Sequence, residues 1–169
     1  KTFWKDDLLD GELVSYHESG QLNKAEKFYK RALKIDNNHP DSLHLLGLLS
    51  HQKGRHEFAI KLIKKALILR PDVLTYNTNL AIVYNTLSRW AEAEKVCTYI
   101  IKRNPKHAEA YNNLGRALAA QDKSKGAEAA YIKAIEYAPK NASAQSNLGY
   151  LYMLGSFCQE RKVASGRCS

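Results

Sequence analysis

The chain has 169 residues, 44% of them hydrophobic and 25% charged, so burial can offset chain entropy and a disordered chain is excluded. Nine glycines and four prolines are too few for a loop-rich all-β chain, and the composition favours an all-α fold. The formal net charge of +9 raises nucleic acid or an anionic membrane surface as partners until the charges are placed along the chain.

The N-terminal segment, residues 1–10, has no apolar core of the signal-peptide kind. The sequence also contains no run of the roughly 20 apolar residues that a membrane span needs. Three cysteines are an odd and sparse set, which favours a reducing compartment, and we therefore expect a cytoplasmic protein. A small loop closed by Cys158 and Cys168 in an oxidising medium is the alternative. Because the chain starts at Lys1 without a methionine, a trimmed fragment is a further expectation.

Several columns of residues recur at a spacing of 34 in one register. The columns are Ala25, Ala59, Ala93 and Ala127; Leu46, Leu80, Leu114 and Leu148; and Pro71, Pro105 and Pro139. Coincidence does not produce several columns in the same register. We predict repeat units at residues 6–39, 40–73, 74–107 and 108–141, and a fifth unit, 142–154, that stops halfway. The residues 155–169 lose the register and are predicted to form a divergent, disordered tail.

Each unit has the pattern of two amphipathic helices. In the second unit, Leu43 to Ser50 carry one apolar face, Lys53-Gly54 interrupts it, and Ala59 to Ala66 carry another. Small residues such as Gly47 and Gly115 are expected where the two helices approach closely. A single helix pair leaves its apolar face exposed, so each unit must stack on the next.

These columns resemble the signature of the tetratricopeptide repeat (TPR) family. The matching residues are Leu43, Leu46-Gly47, Ala59, Ala66 and Pro71, then Tyr111, Leu114-Gly115, Ala127, Tyr131, Ala134 and Pro139. The first unit is looser, with Asn37 in place of the closing proline. The resemblance implies a right-handed α-solenoid of antiparallel helix pairs, about four and a half units over residues 1–154. It also implies that the first helices line a concave groove.

In that implied geometry the candidate peptide-binding groove can be assigned residue by residue. Its members are His44, His51, Asn79, Asn85, Asn112, Asn113, Arg116, Asn147 and Tyr150. Asn79, Asn113 and Asn147 are each one repeat apart and would place one amide per unit at the same height. This set resembles the asparagine ladder of the TPR region of O-linked N-acetylglucosamine transferases, which holds extended polypeptide. The alternative is that asparagine before Leu-Gly only suits an exposed helical position of this family.

Lysine and arginine fall mainly on the second helices and turns, and Arg116 is the one basic residue among the assigned groove positions. A nucleic-acid binder places basic and aromatic residues together along one groove, so we predict no nucleic-acid partner. The surplus charge is interpreted as a solvated surface. The carboxylate clamp of chaperone-tail receptors needs more groove cations than Arg116 and is not predicted.

The sequence offers no set of residues for catalysis, so we predict a non-enzyme without cofactor or metal. His56-Glu57 begins a zincin pattern, but Ile60 stands where the second histidine is required. His44 and His51 share a helix face and are interpreted as solvated groove residues in preference to a ligand pair. Cys97 occupies an apolar packing position, where cysteine acts as a small hydrophobe.

The leading hypothesis is a non-catalytic interaction module that holds an extended segment of another protein in the groove. The alternative is the substrate-recruiting N-terminal part of a larger enzyme, such as a TPR glycosyltransferase whose catalytic domain is absent here. A third hypothesis is self-association through the uncapped C-terminal end, where Leu148, Leu151 and Tyr152 lack a second helix.

Overall fold

The computed structural model of the protein describes residues 22–165, with side chains to residue 155. The first helix that was predicted for the first repeat falls within residues 6–21, which lie outside the described residues. The side chains of Cys158 and Cys168 also lie outside them. The described part consists of eight helices and contains no strand, which confirms the all-α prediction. The helices are α1 (Leu22–Ile35), α2 (Pro40–Gln52), α3 (His56–Leu69), α4 (Leu74–Thr86), α5 (Trp90–Arg103), α6 (Ala108–Ala119), α7 (Ser124–Tyr137) and α8 (Ala142–Ser165).

Helices α2, α4, α6 and α8 begin at residues 40, 74, 108 and 142, the first residues of the predicted units. Side chains that cap free backbone N–H groups fix several of these starts. His39 accepts a hydrogen bond from the Ser42 N–H at 3.2 Å, and His107 accepts one from the Ala110 N–H at 3.2 Å. At α8, the Asn141 side chain accepts from the Ala144 N–H at 3.1 Å.

The turns inside the second, third and fourth repeats each contain one residue in the left-handed region. Gly54 has φ of 76°, Ser88 has φ of 57° and Asp122 has φ of 59°, at equivalent positions of successive repeats. Only glycine adopts this conformation without a steric cost. The sequence identified the Gly54 turn, whereas Ser88 and Asp122 carry no comparable local signal.

The chain divides into two compact units inside α4, between Tyr76 and Asn77, and each unit is described by itself. In the first, α2 packs against both α1 and α3. Its core contains Ala25 and Tyr29 from α1 with Leu46 and Leu49 from α2. A Cβ on Gly47 would lie 2.8 Å from Cγ1 of Ile63 and 3.3 Å from the carbonyl oxygen of Ala59, which confirms the predicted close approach.

Glu26 on α1 is the centre of an ion-pair cluster in the first unit. Its carboxylate lies 2.8 Å from Nζ of Lys30, 2.5 Å from Nζ of Lys53 and 3.0 Å from Nη2 of Arg55. These cations lower the pKa of Glu26 to about 2, chiefly through the hydrogen bonds from Lys30 and Lys53. The cluster ties α1 to the turn between α2 and α3.

In the second compact unit, which begins at Asn77, α6 packs against α5, α7 and α8. Leu118, Ala127 and Tyr131 form a buried cluster, with Leu148 and Leu151 of α8 packed against it. A Cβ on Gly115 would lie 2.5 Å from the Tyr131 ring. The nearest neighbour of Gly115 is this ring, which fills the space that the missing side chain leaves.

Helix α8 is longer than predicted. It continues to Ser165, where residues 155–169 were expected to be a disordered tail, and it runs through residue 156, the position equivalent to the Asp122 turn. Glutamine, glutamate, arginine and lysine at residues 159–162 are good helix formers, and no proline follows residue 142. At Gly149, the position equivalent to Gly115, no atom of the described residues lies within 4 Å of a Cβ built there.

Candidate functional site

In the second compact unit, α6 and α8 are the first helices of neighbouring repeats, and they contact each other. A pair of asparagines links the two helices. Nδ2 of Asn147 donates to Oδ1 of Asn112 at 3.0 Å. Asn112 is 9% exposed and Asn147 is half-buried. The two amides therefore form one hydrogen-bonded pair between neighbouring repeats, and we call it the amide pair. Their separation in the sequence, one position more than the repeat, is the signal that could have indicated it.

We expected Asn85 and Asn113 to line a solvated groove, but both side chains are buried. Asn85 is 2% exposed and its Nδ2 donates to the carbonyl oxygen of Asn113 at 3.0 Å. Asn113 itself is 3% exposed. The predicted row of three equivalent amides is thus uneven, because Asn113 is buried while Asn79 and Asn147 are half-buried. A buried amide needs internal partners, and this need explains why Asn85 bonds a backbone carbonyl.

Arg116 and Tyr150 are the two predicted groove residues that are exposed. They occupy the same register position of α6 and α8, one repeat apart, and Tyr150 is 59% exposed. Each follows its member of the amide pair by about one helical turn. A cation and an aromatic ring therefore accompany the amide pair on the same two helices.

His44 of the first unit is buried at 6% exposure, which corrects the expectation of a solvated histidine. Its ring stacks on the Tyr76 ring with centroids 4.3 Å apart. The Tyr76 hydroxyl donates to Asp41, which also lies 3.8 Å from Nη1 of Arg70. Burial lowers the pKa of His44 to about 4, against a smaller opposing effect of Asp41.

His51 pairs with His56 and not with His44. The two Nδ1 atoms are 2.8 Å apart and the ring centroids 4.7 Å apart, across the turn that contains Gly54. Burial and the neighbouring His56 both lower the pKa of His51. The helical periodicity did not indicate this pair, because the two histidines lie on different helices.

Cys97 is fully buried and its thiol pKa is raised to about 12 by burial, as expected of a packing residue. Within the described range, no group of three or more histidine, cysteine or acidic side chains is placed to hold a metal ion. Over the same range, no helix is both long and apolar enough to cross a membrane.

Family models for tetratricopeptide repeats match most of the chain. One described as TPR repeat matches residues 15–54, and two described as Tetratricopeptide repeat match residues 42–75 and 86–149. Among curated proteins, the human protein O-mannosyl-transferase TMTC1 is 32% identical over 133 residues. The match covers 79% of this chain but only 15% of that relative, so the chain spans a small part of its length.

Solved structures of similar fold agree with the family models. A crystal structure of MamA superposes with a TM-score of 0.75 and 25% identity, covering 94% of this chain and 90% of MamA. The first TPR of Spaghetti (RPAP3), bound to the HSP90 peptide SRMEEVD, superposes with a TM-score of 0.66 and 26% identity, covering 72% and 96% of the two chains. The helix pairs, the repeat columns and these likenesses have one explanation: the chain belongs to the tetratricopeptide repeat family.

Proposed function

We propose that the chain is a non-catalytic interaction module and that α6 and α8 bind an extended segment of another protein. The surface consists of the amide pair, Asn112 and Asn147, with Arg116 and Tyr150 beside it. Asn79 extends the surface along α4. The buried residues Asn85 and Asn113 hold this surface in place. His44 and His51 belong to the first unit, where His44 is a packing residue.

The hydrogen bond within the amide pair is the observation that carries the proposal. An asparagine amide has two donor hydrogens and a carbonyl oxygen with two lone pairs. The bond at 3.0 Å uses one hydrogen of Asn147 and one lone pair of Asn112. A donor of Asn112 and the oxygen of Asn147 keep capacity for a ligand, and a peptide backbone offers the complementary acceptor and donor in every residue.

Arg116 and Tyr150 define which segments fit best. An exposed guanidinium favours a carboxylate of the bound segment, since it offers planar donors for two oxygens. An exposed tyrosine ring provides apolar contact area at a small entropic cost. We therefore propose an extended segment with an acidic side chain one or two residues from an apolar one. The peptide complex of Spaghetti (RPAP3), a relative at 26% identity, supports this mode of use.

The test is selection from a random peptide library displayed on phage, followed by titration of the enriched peptides. We expect Kd values in the micromolar range, weakened about tenfold by Asn147→Ala and by Arg116→Gln, because each removes one ligand hydrogen bond worth about 1 to 2 kcal/mol. The free peptide SRMEEVD serves as a reference ligand and is expected to bind more weakly than the selected peptides.

The matched controls lie at exposed positions outside the proposed surface: Asn104→Ala makes the same change as Asn147→Ala, and Lys125→Gln, like Arg116→Gln, replaces one positive charge by an amide. They should leave binding unchanged. Equal loss in the control variants, or enriched peptides that bind Asn147→Ala as well as the unchanged chain, would place the binding site elsewhere.

A second candidate is that the chain is the repeat region of a larger enzyme that recruits the substrate. The 32% identity to part of protein O-mannosyl-transferase TMTC1 is the observation in its favour. Sequencing the transcript in both directions beyond this chain separates the two candidates. A catalytic domain in the same reading frame supports recruitment, and its absence leaves the independent interaction module.

A further inference from the structure

Helix α8 has an open face that the rest of its repeat does not cover. Gly149 is equivalent to Gly115, which faces the Tyr131 ring of α7, yet no described atom lies within 4 Å of a Cβ built on Gly149. Tyr152 and Met153, one turn further on the same face, are 50% and 47% exposed. The face is therefore the one that the second helix of a fifth repeat would cover.

Helix α8 does not turn back over this face within the described residues. The turn residues Gly54, Ser88 and Asp122 recur once per repeat, and the next position, residue 156, lies inside α8. The helix runs 24 residues without a turn, from Ala142 to Ser165. The described residues therefore supply no helix that covers Gly149.

The pair α6 and α7 shows what such a helix must provide. It needs a large side chain opposite the glycine, as Tyr131 lies opposite Gly115. It also needs no charge at the contact, since an unpaired buried charge is costly.

Helix α8 itself meets both requirements. It carries Gly149 and, three and four positions later, the exposed side chains of Tyr152 and Met153. The Tyr152 hydroxyl donates to Glu128 of α7 at 2.7 Å, and half of this side chain still remains exposed. In an antiparallel pair of α8 helices related by a two-fold axis, the glycine of each copy faces the large side chains of the other, so one arrangement makes both contacts. The sequence from Asn141 to Gln159 contains no charged residue, so two α8 helices can meet without bringing like charges together.

We propose that this face of α8 binds α8 of a second copy, in an antiparallel, two-fold symmetric contact centred between Gly149 and Tyr152. The contact leaves the surface formed by the amide pair unused. It therefore stands whether or not that surface binds a peptide.

The test is the molar mass of the full chain in solution, measured by light scattering after size exclusion from roughly 1 µM to 500 µM, the range of weak dimers. The mass should rise from 19.1 kDa towards about twice that value. Gly149→Glu should remain monomeric throughout, because it fills the gap and adds a charge to the contact. Circular dichroism confirms that each variant keeps the helical content of the unchanged chain.

Gly155→Glu is the matched control, since it adds the same charge to an exposed glycine of the same helix that lies about 120° around the helix axis from Gly149. It should dimerise like the unchanged chain. A chain that stays at 19.1 kDa over the whole range overturns the proposal. Association that survives Gly149→Glu, or that Gly155→Glu abolishes equally, also overturns it.

Discussion

Gly115 and Gly149 occupy the same register position in neighbouring repeats and face opposite surroundings. A Cβ on Gly115 would lie 2.5 to 2.9 Å from three atoms of the Tyr131 ring, whereas the space before Gly149 is open in the part of the chain that the structure describes. The same substitution therefore has opposite consequences at the two positions.

Gly115→Ala should destabilise the protein by about 1 to 3 kcal/mol, because the ring and the backbone must move to admit the methyl group. Gly149→Ala should stabilise the dilute monomer by about 0.5 to 1 kcal/mol through its higher helix propensity. Urea denaturation followed by circular dichroism measures both values. Equal effects at the two positions would contradict the packing described for Gly115.

His44 makes stability depend on pH between about 4 and 6.5. Burial lowers its pKa in the folded protein to about 4, below the ordinary value of 6.5. The unfolded chain therefore binds more protons in this window, so stability should fall as the pH falls. The pKa difference corresponds to about 3 kcal/mol at most.

The check is the free energy of unfolding at several pH values for the unchanged chain and for His44→Phe, which keeps a ring against Tyr76. The slope between pH 6.5 and 4 should be smaller in the variant. A residual slope from His51 is expected, because its pKa is also lowered. An unchanged slope would mean that His44 is solvated, as the sequence alone predicted.

At the scale of helices, the ion pairs of Glu26 join α1 to a turn of the next repeat. Its folded pKa of about 2 lies below the value of 4.5 for a free carboxyl, so the ionised form contributes stability above pH 4.5 that is lost as the pH falls towards 2. The cations are partly exposed, with Lys30 at 55% and Arg55 at 42%, and salt screens such pairs.

Glu26→Gln should lower the free energy of unfolding by about 1 to 2 kcal/mol at pH 7 and low salt, because three charge-assisted contacts weaken together. The loss should shrink in 1 M salt. Thermal denaturation with and without salt measures it, and Glu136→Gln, at an exposed pair with Lys133, is the matched control. A salt-independent loss would show that the role of Glu26 is packing.

The sequence predicted the helices well and several side-chain environments poorly, for a common physical reason. The buried apolar columns recur with the period of 34, and this period correctly predicted the first residues of α2, α4, α6 and α8. Polar side chains such as His44 and Asn85 do not contribute to the apolar columns, and their partners lie on neighbouring helices. Their burial depends on distances between helices, which periodicity does not contain.

The end of α8 shows the same limit. Loss of the repeat columns after residue 154 led us to expect disorder, but helix formation by a single segment needs only suitable local residues. The helix continues to Ser165 without the alanine columns. The absence of a packing pattern therefore did not predict the local conformation.

Within the second compact unit, stability against local unfolding should decline from α6 towards α8. Helix α6 packs against three helices, while α8 contacts α6 and α7 and keeps one face open. Repeat arrays open locally from helices with few neighbours. Backbone amides at residues 150–154 should exchange with deuterium at least about tenfold faster than those at residues 112–116.

Hydrogen exchange followed by mass spectrometry on a dilute sample tests this gradient. A low concentration matters, because a second copy on α8 would protect the same amides. Equal protection of the two segments would contradict a stability set by neighbouring helices.

The polar contacts between successive first helices have a consequence for the order of the repeats. His44 stacks on Tyr76, Asn85 bonds the carbonyl of Asn113, and Asn147 bonds Asn112. The apolar columns are nearly interchangeable from unit to unit, but these joints differ: one joins two rings, one joins an amide to a backbone carbonyl and one joins two amides. A gene with the same repeats in another order would keep every column and the period of 34, yet separate His44 from Tyr76 and Asn112 from Asn147. The array is therefore periodic in its core and directional at its joints, which is how a duplicated sequence comes to specify a single arrangement.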